Sequence, residues 1–270
     1  MARSVNFHVP TVEVGRMLIA RLDRAATADL MIAEALRRKS KRSLPAYFTS
    51  ANGQVVSLVA TSGLISWLFA EADLVSADGQ PMVLASRWLT RTPLPERVAT
   101  SDLFHDVAVR AIRHDLTFYL LGATADENAK AVSQVRARYP ELRIVGARDG
   151  FFSRADEPSV AKEIAKLRPD ILWVAMGVPR EQEFIIRNRR RLHGVGIAKT
   201  SGGLFNFLSG TQGRAPEWMQ RCGLEWLHRL GSEPRRLFWR YASTNVHASY
   251  LLLVGTHHGE GSSIEGTSGV

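Results

Sequence analysis

From residue 46 onward, short apolar runs end in small or polar residues, and segments with helical spacing follow them. The runs at 46–49, 74–76, 116–121, 142–145, 171–176 and 195–199 read as strands. Their carboxyl ends carry Ser50-Ala51-Asn52-Gly53, Ala77-Asp78-Gly79, Gly122, Gly146 with Asp149-Gly150, Gly177, and Ser201-Gly202-Gly203. Strands alternating with helices of about 10–15 residues predict βαβ units and a largely parallel sheet. The expected fold class is therefore α/β: a Rossmann-like sheet with helices on both faces, plus a C-terminal helical appendage. Ligands of such sheets sit outside the carboxyl ends of the strands. The polar and glycine residues at those ends are thus expected to converge on one crevice.

The flanks have a different texture. Residues 1–45 read as a basic, loosely patterned N-terminal segment that closes on Arg37-Arg38-Lys39 and Lys41-Arg42. Residues 46–210 form the expected catalytic core. Residues 211–256 form an appendage carrying Arg214, Arg221, Arg229, Arg235, Arg236 and Arg240 together with Trp218, Trp226 and Trp239. That appendage reads either as an ordinary helical subdomain with tryptophan in its core or as a membrane-docking element, since Trp and Arg favour the lipid headgroup level. Residues 257–270 are rich in Gly and Ser and are expected to be disordered.

Charge narrows the class of partner. The 270 residues carry a formal net charge of +9, which predicts a partner bearing phosphates: a nucleic acid, a nucleotide or an anionic membrane. The single cysteine, Cys222, excludes an internal disulfide and a cysteine-built zinc site, and it suits a reducing, cytoplasmic compartment. Residues 1–10 hold no apolar stretch of signal-peptide type. The longest apolar runs, 171–176 and 251–254, are far short of the roughly 20 residues that span a bilayer, so membrane contact is expected to be peripheral.

Several chemistries lack their signatures. The chain has no G-x-G-x-x-G, no G-x-x-x-x-G-K-[ST] and no G-x-S-x-G. It has no Asp-x-Asp and no His/Asp/Glu cluster with ligand spacing, so no metal site is expected and a diphosphate would be held by arginines and helix N-termini. A nucleic-acid partner is not favoured, for want of a recognised motif or a basic-aromatic platform on the strands.

The candidate residues each have two readings. Asp78, in Ala77-Asp78-Gly79-Gln80-Pro81, is a turn residue or a carboxylate able to take a proton from an attacking hydroxyl. Ser50 and Asn52 form a capped turn or a pair of hydrogen-bond groups facing substrate. Arg97 is a solvated arginine or a bidentate partner for a diphosphate oxygen. Gly177-Val178-Pro179-Arg180-Glu181-Gln182-Glu183 starts a helix after the most apolar run, and its first turn can reach a ligand. The run Arg187, Arg189, Arg190, Arg191 reads as a solvated helix face.

With these residues in view, the chain resembles the WecG/TagA/CpsF family of glycosyltransferases, glycosyltransferase family 26, over about residues 46–241. The carriers are Ser50-Ala51-Asn52, Ala77-Asp78-Gly79, Glu96-Arg97-Val98 with Ser101-Asp102-Leu103, and Asp149-Gly150-Phe151-Phe152. They continue with Gly177-x-Pro179-Arg180 and Gln182-Glu183, Gly202-Gly203, Arg214-Ala215-Pro216, Glu225-Trp226, Glu233-Pro234-x-Arg236 and Arg240-Tyr241. The resemblance implies metal-independent, inverting transfer of a hexose-type sugar from a UDP-sugar to a polyprenyl-diphosphate-linked sugar, at the inner face of the cell membrane, with UDP-sugar as donor and no bound cofactor. It implies Asp78 as general base, with Ser50, Asn52, Arg97 and Gln182 in the catalytic site. Gly122, Asp149, Gly177, Pro179, Gly202 and Gly203 are expected beside the donor, and Arg214, Arg221, Arg229, Arg236 and Arg240 toward membrane or acceptor. A homo-oligomer is compatible with this reading. Three positions depart from the family pattern: Thr100 stands in place of glycine, Asn206 in place of aspartate, and Glu181 adds a residue ahead of Gln182-Glu183. Two alternatives remain at this point: a basic nucleic-acid-binding α/β protein, and a nucleotide-sugar sensor without turnover.

Overall fold

The computed structural model describes residues 9–41, 43–232 and 234–257; the side chains of residues 229 and 232–243 lie outside the described set. Six parallel strands build the central sheet: β3 (Ala46–Ala51), β4 (Leu74–Ala77), β5 (Thr117–Gly122), β6 (Arg143–Arg148), β7 (Ile171–Ala175) and β8 (Ile197–Thr200). Their spatial order is β4-β3-β8-β7-β5-β6, so each strand expected from the apolar runs is present.

The sheet is apolar on both faces because its strands alternate between two cores. Phe48, Phe118, Leu120, Trp173 and Ile197 face one core, with α1 (Arg24–Lys41), α5 (Thr100–Arg113), α6 (Ala125–Arg138) and α9 (Leu204–Leu208). Tyr47, Tyr119, Leu121, Leu172, Val174 and Ala198 face the other, with α7 (Glu157–Leu167) and α8 (Arg180–Asn188). A third cluster joins α2 (Gly53–Thr61), α3 (Gly63–Ala70) and α4 (Gln80–Leu89) to the N-terminal hairpin.

Residues 11–41 are not loosely patterned. They hold an antiparallel hairpin, β1 (Thr11–Val14) and β2 (Met17–Ala20), followed by α1. Gly15 and Arg16 join the strands with φ of 60° and 64°, the left-handed pair that a two-residue type I′ turn needs. Val12, Val14, Met17 and Ile19 point inward, whereas Leu18 on the outer face masks the alternation in the sequence. In α1, Ala28, Met31, Ile32 and Ala35 recur at helical spacing and pack toward α5, a stripe diluted to the eye by the basic residues that end the helix.

The C-terminal segment forms α10 (Glu217–Arg221), α11 (Glu225–Ser232) and α12 (Pro234–Val254). The far end of α12 is anchored. Leu251 and Leu252 are buried in the α2–hairpin cluster, where each such side chain contributes about 1.5–3 kcal/mol. Ser57 Oγ lies 2.9 Å from His247 Nδ1. The Arg16 amide donates to Gly255 O at 2.8 Å, and the Gly15 amide donates to Thr256 Oγ1 at 3.1 Å. These bonds tie the last helix to the hairpin turn.

The strand order places a crevice at β3 and β8. After β3 the chain enters α2 and α3, and α3 contacts α8 on the Tyr47 face. After β8 it enters α9, which packs on α5 and α6 on the opposite face. Neighbouring strands whose connections leave to opposite sides open a cleft at their carboxyl ends.

Candidate active site

A cavity of about 260 Å³ opens at that cleft. Ser50 and Asn52 reach it from the end of β3, Asp78 and Gly79 from β4, and Thr200 to Gly203 from β8. Arg97, Thr100 and Ser101 come from the segment entering α5, and Glu181 from the first turn of α8. Glu225 and Trp226 of α11, with Asn245 of α12, complete the wall, so the C-terminal segment is part of the site.

Backbone bonds position Asp78 and its neighbours. The Asp78 amide donates to Ala51 O at 2.7 Å, and the Val98 amide donates to Ala77 O at 2.8 Å, clamping the Arg97 segment beside the end of β4. Asp78 Oδ2 then accepts from the Thr100 amide at 3.1 Å and the Thr100 hydroxyl at 2.7 Å. Oδ1 lies 3.7 Å from Arg97 Nε. Arg97 Nη2 pairs with Glu225 Oε2 at 2.7 Å, linking the core to α11. Burial pushes the Asp78 carboxyl above the ordinary carboxylate range, while Arg97, the two Thr100 bonds and Lys199 pull it back.

Two buried charged groups belong to this site: Lys199, beneath the floor, was not singled out from the sequence, whereas Glu181 lies in the first turn of α8 that was expected to reach a ligand. Lys199, on β8, is fully buried; its Nζ donates to Ser50 Oγ at 2.8 Å and to Thr200 O at 2.7 Å. Burial pulls its ammonium down to about 8, opposed by the carboxylates of Asp78 and Glu181. Glu181 is 2% exposed, and its Oε2 accepts from the amides of Met176 at 3.2 Å, Gly177 at 3.1 Å and Gly202 at 2.9 Å. Burial pushes this carboxyl up, against the pull of the three amides and Lys199. The sequence does hold a signal for Lys199: a lysine inside an apolar run that ends on Ser201-Gly202-Gly203. A charge inside a buried strand needs compensation, which is a reason to examine it.

Of the residues singled out from the sequence, Ser50, Asn52, Asp78, Arg97, Gly202 and Gly203 meet at the cavity. Asn52 also caps α2, accepting from the Val55 amide at 3.1 Å, so both readings of that residue hold in part. Gln182 is placed differently. It is 1% exposed and does not line the cavity among the described residues, because one step along α8 rotates a side chain by about 100° and it is Glu181 that faces in. Gly122, Asp149, Gly177 and Pro179 also stand outside the lining. A Cβ on Gly122, at φ +140°, would lie 2.1 Å from Ala175 O, so that glycine permits close approach of two strands. Asp149 Oδ1 accepts from the Phe151 amide at 2.8 Å within its own turn. Gly177 gives its amide to Glu181, and Pro179 precedes the first turn of α8.

The arginines of the C-terminal segment divide. Arg214 is held at the start of α5, where its Nη1 pairs with Asp102 Oδ1 and its Nη2 donates to Asp102 Oδ2 at 3.1 Å and to Gln220 Oε1 at 2.9 Å. Arg221 is 81% exposed on the side chain and lies 3.3 Å from Glu217. The side chains of Arg229, Arg236 and Arg240 lie outside the described residues. Among the described residues, no three His, Cys, Asp or Glu side chains are grouped to hold a metal ion.

The profile of the glycosyl transferase WecG/TagA/CpsF family matches residues 12–259. The chain is 34% identical over 187 residues to the N-acetylglucosaminyldiphosphoundecaprenol N-acetyl-β-D-mannosaminyltransferase of Bacillus subtilis (strain 168), covering 69% of this chain and 70% of that one. It is 32% identical over 195 residues to the protein of the same name from Bacillus spizizenii (strain ATCC 23059 / NRRL B-14472 / W23), covering 72% of this chain and 74% of the other.

Proposed function

Because the chain belongs to the WecG/TagA/CpsF family of glycosyl transferases, we propose that it moves a hexose-type sugar from a UDP-sugar onto a polyprenyl-diphosphate-linked sugar, with Asp78 as general base. The observation that carries this reading is the state of Asp78. One of its oxygens is fixed by Thr100, and the other stands beside Arg97 at the cavity formed by the strand ends. A carboxylate held this way accepts the proton of an acceptor hydroxyl as that oxygen attacks the anomeric carbon. The bond from that carbon to the diphosphate oxygen breaks, UDP leaves with the bonding pair, and the configuration inverts. An α-linked donor thus yields a β-linked product, and the relatives named above carry a β-linked N-acetylmannosaminyl group in their names.

Arg97 is the cation best placed for the departing diphosphate, and in this structure Glu225 engages it. Donor binding would therefore exchange the Glu225 carboxylate for a phosphate oxygen at the same guanidinium. The N-terminus of α2, at Gly53 and Gln54, lines the same cavity and adds a positive dipole end. Among the described residues no single helix is long and apolar enough to cross a bilayer. Peripheral contact with lipid is supported by α12, where Val246, Tyr250 and Leu253 recur at helical spacing and are 73%, 60% and 63% exposed.

The test is a matrix of UDP-sugars, including UDP-N-acetylmannosamine, against diphosphate-linked N-acetylglucosamine on a polyprenyl or shorter lipid. UDP release together with a lipid product one sugar heavier supports the reading. UDP-sugar binding with no transfer across the matrix would leave a sensor instead of an enzyme.

A further inference from the structure

Lys199 is the feature that the proposed chemistry does not use. A fully buried ammonium is costly unless compensated, and an apolar side chain would fill the same strand position at less expense. Its compensation runs toward Asp78. Lys199 Nζ donates to Ser50 Oγ at 2.8 Å, Ser50 Oγ lies 3.3 Å from Thr100 Oγ1, and Thr100 Oγ1 donates to Asp78 Oδ2 at 2.7 Å.

Hydrogen-bond chemistry sets the direction of this chain. An ammonium only donates, and an ionised carboxylate only accepts. The single proton of Thr100 is committed to Asp78, so in the Ser50–Thr100 pair Ser50 is the donor. Each hydroxyl accepts one bond and passes one on, and such chains polarise cooperatively. The positive end is Lys199, and the negative end is the one Asp78 oxygen that also takes the Thr100 amide.

We propose that Lys199 is a positioning residue for sugar transfer: through the hydroxyls of Ser50 and Thr100 it locks one oxygen of Asp78 and keeps the carboxylate ionised, with the other oxygen presented to the acceptor hydroxyl. This rests on Asp78 being the base. Without such support, burial would favour the protonated acid, which cannot take a proton. The charged groups around Asp78 are Arg97 from the segment before α5, Lys199 from β8, Glu181 from α8 behind Lys199, Glu225 from α11 through Arg97, and Arg214 at greater reach.

The experiment compares wild type with Lys199→Met, Ser50→Ala, Thr100→Val and Asp78→Asn, each checked by thermal melting. The first readout is the acid limb of kcat/KM against pH. Removing a nearby positive charge raises a carboxyl pKa, so in Lys199→Met Asp78 ionises later and the limb moves to higher pH. In that variant kcat is expected to fall on the acid side of the profile, with the donor KM changed less than about threefold, and to recover as pH rises. Ser50→Ala keeps the ammonium but cuts the chain, so its limb moves the same way by less. The second readout needs no turnover: the carboxyl carbon signal of Asp78, identified by its loss in Asp78→Asn, is expected to titrate at higher pH in Lys199→Met.

A limb and an Asp78 titration that stay at the wild-type pH in Lys199→Met overturn the proposal. Unmoved values in Ser50→Ala overturn the relay, with Thr100→Val, which removes a bond made directly to Asp78, as the positive control. If Lys199→Met does not fold, Ser50→Ala decides the matter, since it cuts the chain and leaves the partners of Asp78 in place. Near-normal turnover in Asp78→Asn is a different failure, because it removes Asp78 as the base and the reading on which the proposal stands.

Discussion

Glu181→Ala is the perturbation that most sharply separates a structural carboxylate from a passive wall of the cavity. Glu181 Oε2 gathers three amides from two loops, Met176 and Gly177 after β7 and Gly202 after β8. Hydrogen bonds to charged groups are each worth about 1.5–3 kcal/mol, but these three share one oxygen and are not additive. Removing one member of a buried charge network typically costs about 3–5 kcal/mol. We expect that range for Glu181→Ala, and about 1–2 kcal/mol for Glu181→Gln, which keeps an acceptor oxygen but loses the charge. At roughly 2–3 °C per kcal/mol for a chain of this size, Glu181→Ala should melt roughly 6–15 °C lower. The emptied cluster of amides is a site for a small anion, so inorganic phosphate should raise the melting temperature of Glu181→Ala more than that of wild type. The assay is a thermal melt by circular dichroism, with and without phosphate. An alanine variant melting within a degree of wild type would refute the assignment of those three amides to Glu181.

Asp78→Asn should lower transfer by about 10²–10⁴ while UDP affinity, measured by calorimetry, changes little, because the diphosphate contacts proposed above, Arg97 and the N-terminus of α2, are retained. Turnover should persist in excess EDTA, as expected from a sequence without Asp-x-Asp; loss restored by magnesium or manganese would count against metal-free transfer. Replacing Val246, Tyr250 and Leu253 of α12 together with serine should weaken flotation with anionic vesicles while leaving the fold intact, since all three side chains face outward. This substitution is a cleaner probe than truncation from residue 211, which would strip Leu251 and Leu252 from the cluster they share with α2 and the hairpin.

What the chain determined alone is what repeats locally. Six apolar runs ending in small or polar residues specify parallel strands, because buried strands need apolar side chains on both faces and their ends need turns. The ordered motifs from Ser50-Ala51-Asn52 to Arg240-Tyr241 carry the family, and the polar strand ends point to Ser50, Asp78 and Gly202-Gly203. The hairpin at 11–20 escaped because Leu18 faces outward and Gly15-Arg16 is not a common type I′ pair. Tertiary structure decided the rest, through contacts that no local period encodes. Ser50 and Lys199 are 149 positions apart in sequence, and Asp102 and Arg214 are 112 apart, yet each pair is hydrogen-bonded. A one-residue rotation on α8 selects Glu181 over Gln182 for the cavity, a choice made by how the helix docks on the sheet. The anchoring of α12 on α2 likewise brings Glu225, Trp226 and Asn245 over the strand ends, which the residue types of the C-terminal segment could not specify.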